Sequence, residues 1–142
     1  MKEMKYSPLR SNEVLHEDEY LDYKFAIVNR GTHPTAYVEC KIKDLKDYYD
    51  DRLGSISVHG GFTFYGLPNW PMSCGSDTLF LGWDYGHFGD FVCLGFGLGP
   101  MFRDKKWTTQ EIYEEVKDVI HQLIQLEEKE TKRQHHGKTA TN

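Results

Sequence analysis

Two short glycine-rich stretches carry most of the residue types that could do chemistry. The first is VHGGFTFYG at 58–66, and the second is GWDYGHFGD at 82–90. Each places a histidine or an aspartate beside glycines and aromatic rings, a combination suited to holding a planar, polar ligand by stacking and hydrogen bonding. We therefore expect the two stretches to meet in one binding site. The residues predicted to line that site are His59, Gly60, Gly61, Thr63, Phe64, Trp83, Asp84, His87 and Asp90.

The same residues allow a second interpretation, in which they hold a metal ion or act as a general acid and base. His59, Asp84, His87 and Asp90 are all competent metal ligands, and such a set can bind a divalent ion with open positions. Against this, Asp or His beside Gly is often a turn residue that bonds its own backbone. We expect no metal and no cofactor, and we favour binding over catalysis while leaving the enzyme question open.

Three cations, Arg103, Lys105 and Lys106, lie just before a predicted helix. Together with the free N–H groups of a helix N-terminus they could bind an anionic group such as a phosphate. The alternative is a solvated loop, in which exposed charges need no function. We include Arg103 in the predicted ligand site.

The two stretches resemble a family of small proteins from phages, prophages and related bacterial genomes, whose signatures are VHGG-T-(F/Y)-G and GxD-x-(A/G)-H-x-GD. The resemblance extends more loosely from about Tyr23 through the helix that begins after Trp107. By association, it implies a phage protein that antagonises host defence. Such a protein would bind and sequester a nucleotide-derived immune signal, cyclic ADP-ribose-like or a cyclic dinucleotide, without turnover.

The same residues and resemblance leave two alternatives to a protein that sequesters its ligand. One is a metal-dependent hydrolase of the same nucleotide, which would release a product. The other is a protein that inhibits a host defence enzyme, using exposed aromatic residues such as Trp70 as anchors.

Composition places the chain among folded, single-domain proteins. Its 142 residues are 39% hydrophobic and 14% aromatic, enough for one core. A net charge of -5 argues against a nucleic-acid partner. The chain has no apolar run of membrane-spanning length and no apolar N-terminal signal, so we expect a cytoplasmic protein without a membrane partner. Its three cysteines are widely spaced and predict neither a disulfide framework nor a zinc site.

The elements that must position the two stretches are short strands. Runs at 23–30 and 36–42 are β-branched and aromatic, and the turn-like GTHPT separates them, which predicts a hairpin or two neighbouring strands. Two further core strands are expected within 55–66 and 77–86. Residues 1–20 are polar and predict a loose arm or a lead-in to the first strand, and 44–54 predicts a short helix or a loop.

A long C-terminal helix completes the predicted fold. Thr108 can cap its start and Glu111 can close a capping box, after which apolar residues recur at helical spacing from 112 to 124. The helix should fray within 127–134, and 135–142 should be a disordered tail. The prediction is one α+β domain over 1–134, a small antiparallel sheet packed by this helix. The apolar stripe, and the need to enclose a ligand, favour a homo-oligomer.

Overall fold

The computed structural model describes residues 1–7, 12–71, 77–93 and 104–140. Within these ranges, five strands form one antiparallel sheet in the order β1-β2-β3-β5-β4. The strands are β1 Glu13–Tyr20, β2 Tyr23–Asn29, β3 Pro34–Glu39, β4 Phe64–Gly66 and β5 Phe80–Asp84. A 3-10 helix covers Asp51–Ser55, and the helix α1 covers Thr109–Ala140. The predicted α+β class, with an antiparallel sheet packed by one long C-terminal helix, is confirmed.

The β2–β3 hairpin forms where the two apolar runs predicted it. Its register pairs Phe25 with Val38 and Ile27 with Ala36. The turn between the strands needs Gly31, whose φ of +86° is accessible to glycine at little cost. Its N–H donates to Asn29 Oδ1 at 2.6 Å, which ties the turn to the end of β2.

The start of α1 is the capping box that the sequence predicts. Glu111 N–H donates to Thr108 Oγ1 at 3.1 Å, while Thr108 N–H donates to Glu111 Oε1 at 3.0 Å. The helix then buries an apolar stripe against one face of the chain's own sheet. The stripe consists of Ile112, Val116, Val119, Ile120 and Leu123. None of the helices within the described ranges has the length and apolar character needed to cross a membrane.

The other face of the sheet is covered by a smaller aromatic cluster. Trp70 stacks on Tyr37 with ring centroids 4.0 Å apart and meets Phe80 edge-on at 5.2 Å. Gly82 makes this packing possible, because a Cβ there would lie 2.6 Å from Tyr37 Cδ1. Trp70 is only 6% exposed, so the sequence-based suggestion that it is an exposed anchor for a protein partner is wrong.

Two segments differ from the sequence-based expectation. Residues 13–20, assigned to a loose arm or lead-in, form the edge strand β1. Their charged side chains conceal the strand pattern, since edge strands commonly carry charge on their open side, and Leu15 is the member that is buried. At the other end, α1 continues through Ala140, so it includes the segment 127–134, where fraying was expected, and residues 135–140 of the expected disordered tail; residues 141 and 142 lie outside the described residues.

Candidate functional site

The structure brings the two glycine-rich stretches together. We name residues 58–63 the first motif loop, which leads into β4, and residues 84–90 the second motif loop, which begins at the last residue of β5. Because β4 and β5 are antiparallel neighbours, the two loops emerge at the same end of the sheet. His59 Nε2 lies 2.7 Å from Asp90 Oδ2, and the rings of His59 and His87 are 5.9 Å apart.

Asp90 is the centre of the contact between the loops. Its carboxylate is buried, yet three donors reach it: His59 Nε2, the His87 backbone N–H at 3.0 Å, and Trp107 Nε1 at 2.8 Å. Hydrogen bonds to an ionised acceptor are stronger than neutral ones, which offsets the cost of burying the charge. Asp90 therefore joins both loops to the segment that precedes α1.

The His59 imidazole is held on three sides. It stacks on Tyr85 with centroids 4.6 Å apart and an interplanar angle of 12°, and it meets Trp107 edge-on at 5.0 Å. The His59 backbone N–H donates to Glu115 Oε2 on the helix at 3.0 Å. Its second ring nitrogen, Nδ1, has no hydrogen-bond partner among the described residues. The ring is thus fixed in position, and within the described part of the chain one of its nitrogens is left for a ligand.

Beneath the histidine, Tyr85 connects the site to the core. Its hydroxyl donates to Glu115 Oε1 and accepts from Trp83 Nε1 at 3.0 Å. Burial, and then the hydrogen bond to Glu115, raise the pKa of Tyr85 well above its usual range. The phenol therefore stays protonated at physiological pH and acts as a structural donor. We call the set formed by His59, Tyr85, Asp90, Trp107 and Glu115 the His59 network.

Gly60 and His87 form a second contact between the motif loops. Gly60 has a φ of +69°, and a Cβ there would lie 2.2 Å from His87 Nε2. Glycine is needed here for its backbone conformation and for the space it leaves. His87 Nε2 is also 3.2 Å from Asp84 Oδ1, but it is buried without a properly oriented hydrogen bond. The distance therefore describes an electrostatic contact.

Asp84 stabilises the start of the second motif loop. Its Oδ1 accepts the Gly86 backbone N–H at 2.9 Å, the pattern of an Asx turn. Its Oδ2 lies 3.4 Å from Thr63 Oγ1, a long contact with the first motif loop. Asp84 and Thr63 therefore link the loops at their outer edge, where Thr63 is exposed.

The solvent-facing rim of the site is made of glycines and one aromatic ring. Gly60, Gly61, Gly86 and Gly89 are exposed. Phe88 lies among them with 104% relative exposure, so its ring buries nothing in the free chain. An exposed phenyl ring on a loop held by the His59 network is the most unusual surface feature of the site.

Two of the predicted ligand-contacting residues lie elsewhere in the structure. Trp83 is 1% exposed and belongs to the core under α1, so its role here is to position Tyr85. Phe64 packs edge-on against Tyr37 on the opposite face of the sheet. Arg103 is outside the described residues.

Two lysines border the site on the helix side. Lys105 forms an ion pair with Glu111 at 2.7 Å and places its ammonium 3.9 Å from the Trp107 ring centroid. Lys106 Nζ lies 4.4 Å from the ring centroid of Phe91. Lys105 therefore lies against Trp107, which itself donates to Asp90, and Lys106 lies against Phe91.

The same geometry bears on the metal alternative. The described residues contain no group of three or more His, Cys, Asp or Glu side chains placed to hold a metal ion. Both oxygens of Asp90 already accept hydrogen bonds, and His59 Nε2 faces that carboxylate. A metal would have to displace these bonds before Asp90 or His59 Nε2 could ligate it, which leaves only Nδ1 of His59 as an unengaged donor atom of this pair among the described residues.

Sequence reasoning did not assign roles to Glu115, Tyr85, Trp107 or Phe88. Glu115 had a usable signal, because it lies three residues after Ile112 and next to Val116, on the side of the helix that the stripe buries. A charged residue in that register indicates a buried polar partner. The other three are aromatic, and nothing in their spacing separates a core ring from a site ring.

Comparison with known proteins adds nothing to this geometry, because no protein-family model, curated protein or solved structure matches the chain. The site itself is therefore the basis for inferring function. Chemically, the carboxylate of Asp90 orients one imidazole whose Nδ1 has no partner among the described residues, so that Nδ1 is available to hydrogen-bond a ligand. The exposed rim can stack on a planar group.

Proposed function

We propose that this chain binds a small nucleotide-derived ligand and holds it without turnover. The observation that carries the proposal is the exposed ring of Phe88, presented on a loop that the His59 network fixes in place. An aromatic ring in water gains by stacking on a nucleobase, and such contacts are worth about 1–3 kcal/mol per base. Because the loop is already held in place, little ordering entropy is lost on binding.

The polar groups of the site already hydrogen-bond to one another, which supports binding rather than catalysis. Asp90 accepts three hydrogen bonds, and the Tyr85 hydroxyl both donates one and accepts one. A residue that must transfer protons needs access to the reacting atoms. What the site leaves to a ligand is Nδ1 of His59, backbone at the glycines, and the Phe88 ring, which suit ribose and base recognition.

The cations beside Trp107 are the proposed phosphate contacts. Lys106 is exposed, and Lys105 is shared with Glu111. Arg103 remains part of this proposal from the sequence. The net charge of -5 opposes an anionic ligand over the whole surface, so a local cluster is required to attract one.

The resemblance to the phage family supplies the biological reading of the proposal. By association with that family, the proposed ligand is a host immune signal such as a cyclic ADP-ribose derivative or a cyclic dinucleotide. The chain would then act in the host cytoplasm as an antagonist of defence.

A homo-oligomer that encloses the ligand is also proposed, on different grounds from those in the sequence. The helical stripe is buried against the chain's own sheet, so it does not supply an interface. An open groove of about 330 Å³ lies beside the first motif loop instead, lined in part by Tyr48, Tyr49, Val58 and Phe62. Tyr49 is 69% exposed. A second copy covering this groove would enclose the ligand.

The test is capture followed by release. The purified chain is incubated with a panel of cyclic dinucleotides and ADP-ribose derivatives, and the free fraction is chromatographed before and after heat denaturation. Depletion of one ligand, followed by recovery of the same molecule, is the expected result. No depletion across the panel would contradict the proposal and move the search to protein partners.

A hydrolase without a metal is the second candidate, because each histidine at the site lies beside a carboxylate. His59 pairs with Asp90, and His87 lies near Asp84. Two imidazoles 5.9 Å apart could act as general base and general acid on a phosphodiester. In the same assay this candidate predicts a new product peak that persists with a chelator and disappears in His59→Gln.

A further inference from the structure

A second cavity lies on the sheet face opposite α1, apart from the His59 network. It has a volume of about 320 Å³, and its lining includes Asn12, Arg30, Thr35, Tyr37 and Asn69. Tyr37 and Thr35 alternate with Ala36 and Val38, which face the helix, so the cavity is on the far side of β3. None of its lining residues belongs to the His59 network.

The floor of this cavity contains an unpaired hydroxyl. Thr35 is 7% exposed, and its Oγ1 has no hydrogen-bond partner in the described part of the chain. Leaving a buried polar group unpaired normally costs stability, and such groups in native proteins call for an explanation. Asn12 and Asn69, at the cavity mouth, are exposed, so a ligand could enter past them.

Above the floor, Arg30 is held by neutral groups. Its Nη1 donates to Asn12 Oδ1 at 3.0 Å, and its Nη2 donates to Asn69 Oδ1 at 2.7 Å and to the Tyr37 hydroxyl. No Asp or Glu carboxylate among the described residues lies within 4.0 Å of its guanidinium. Its charge is therefore uncompensated locally.

Besides Arg30, four of the side chains that line the cavity have a donor left to offer, and the remaining two, Thr32 and His33, hydrogen-bond to each other. Asn12 and Asn69 use their carbonyl oxygens on Arg30, which leaves both amide NH₂ groups as donors. The Tyr37 hydroxyl accepts from Arg30 and keeps its own proton to donate. Thr35 adds another hydroxyl donor. Surplus donors beside an unpaired cation are the chemistry that recognises an anion.

Asp84 is the carboxylate nearest to this cavity by register, since it pairs with Thr35 across the strands. Its oxygens are directed to Gly86 N–H and toward Thr63, on the β4 side of the sheet. It therefore does not neutralise Arg30, and it is not part of the cavity lining.

We propose that this cavity binds the phosphate group of a small molecule. A carboxylate would bind best to the two-nitrogen fork of Arg30, but that fork is already occupied by the two asparagines and Tyr37. What remains is a positive charge surrounded by donors in several directions, which suits a tetrahedral oxyanion. The cavity is larger than a bare phosphate, so it has room for a phosphate monoester with a small polar body.

Amide NMR titration tests the proposal, with inorganic phosphate and ribose 5-phosphate as probes, and acetate and chloride as comparators at matched ionic strength. The expected result is saturable shifts at residues 29–33, 35–37 and 69, stronger for the phosphates than for acetate. Tighter binding of ribose 5-phosphate would identify a monoester as the ligand class, and equal binding would identify free phosphate. Equal shifts with all four anions would overturn the proposal.

Thr35→Val is the decisive variant, because valine keeps the shape and removes the hydroxyl. We expect it to weaken phosphate binding at least about tenfold, as loss of a hydrogen bond to a charged group does. It should also raise the midpoint of thermal unfolding, since it removes an unsatisfied buried group. A lowered midpoint, or unchanged phosphate binding, would overturn the proposal.

Two charge variants provide the matched control. Arg30→Gln should abolish saturable phosphate binding. Lys46→Gln removes one positive charge from an exposed position elsewhere and should leave phosphate binding unchanged. Phe88→Ala should also bind phosphate like the wild type, which separates this cavity from the motif loops. Equal losses of phosphate affinity in Arg30→Gln and Lys46→Gln would show a general charge effect and overturn the proposal.

Discussion

At the scale of single residues, Asp90 is the group on which the candidate site depends most. We predict that Asp90→Asn lowers the free energy of unfolding by about 2 kcal/mol or more. Asparagine has one acceptor oxygen, so one of the three donors would face its NH₂ group instead. Asp84→Asn is the matched control, because Asp84 is more exposed and its main bond is to one backbone N–H. Urea unfolding with equal losses for both variants would contradict the role assigned to Asp90.

Gly60 allows an even sharper comparison at the same scale. Both Gly60 and Gly61 have positive φ, at +69° and +78°, so alanine is strained at either position. A Cβ at Gly60 would collide with the His87 ring, whereas nothing lies within 4 Å of one at Gly61. We predict that Gly61→Ala costs about 1 kcal/mol and that Gly60→Ala costs clearly more in thermal or urea unfolding.

Replacing His87 identifies the source of that difference. If the collision is the cause, the variant His87→Ala should bring the costs of the two glycine substitutions close together. A Gly60→Ala penalty that survives in the His87→Ala background would instead place the strain in the backbone alone.

At the scale of elements, the capping box of α1 is both predicted from sequence and present. We predict that Thr108→Ala lowers the free energy of unfolding by about 1 kcal/mol at neutral pH, because the Glu111 N–H loses its acceptor. Chemical denaturation measures this directly. Thr131→Ala is the control, since its hydroxyl bonds a carbonyl within the same helix, far from the cap. Equal costs for the two variants would contradict the cap.

The pH dependence of the cap follows from Glu111. Hydrogen bonding to Lys105, then to the Thr108 backbone N–H, holds the pKa of Glu111 below its usual value of 4.5. A carboxylate whose pKa is lower in the folded state than in the unfolded state stabilises the fold at pH values above its unfolded-state pKa. This stabilisation is lost as the pH falls through the folded-state pKa. The stability difference between wild type and Glu111→Gln should therefore shrink below about pH 4.5. A constant difference from pH 7 to pH 3 would contradict this.

Most of the elements could be predicted because their signals are local. The hairpin followed from two β-branched runs with a turn between them, and the helix start followed from Thr108 and Glu111. The strand β1 was not assigned, because charged residues on an edge strand hide the alternation that identifies a strand. The site was predictable only in part. Proximity of the motif loops depends on β4 pairing with β5, and the contribution of Glu115 depends on how the helix lies across the sheet.

At the scale of the whole molecule, the two faces of the sheet have different roles. The face under α1 contains the main core and, at its end, the His59 network. The opposite face contains the Trp70 cluster and the Arg30 cavity. Because each face buries its own apolar residues, changes at one site should leave the other intact. This separation is what allows Phe88→Ala and Thr35→Val to serve as controls for each other.

Nucleotide capture by the wild type and by Phe88→Ala is the most direct test of the central claim. The control is Leu67→Ala, which removes another exposed apolar side chain, outside both motif loops. We predict that the wild type and Leu67→Ala deplete the same ligand and release it unchanged on heating. Phe88→Ala should fold normally and bind about ten- to a hundredfold more weakly. Capture that is unaffected by Phe88→Ala, or absent from the wild type, would contradict the account.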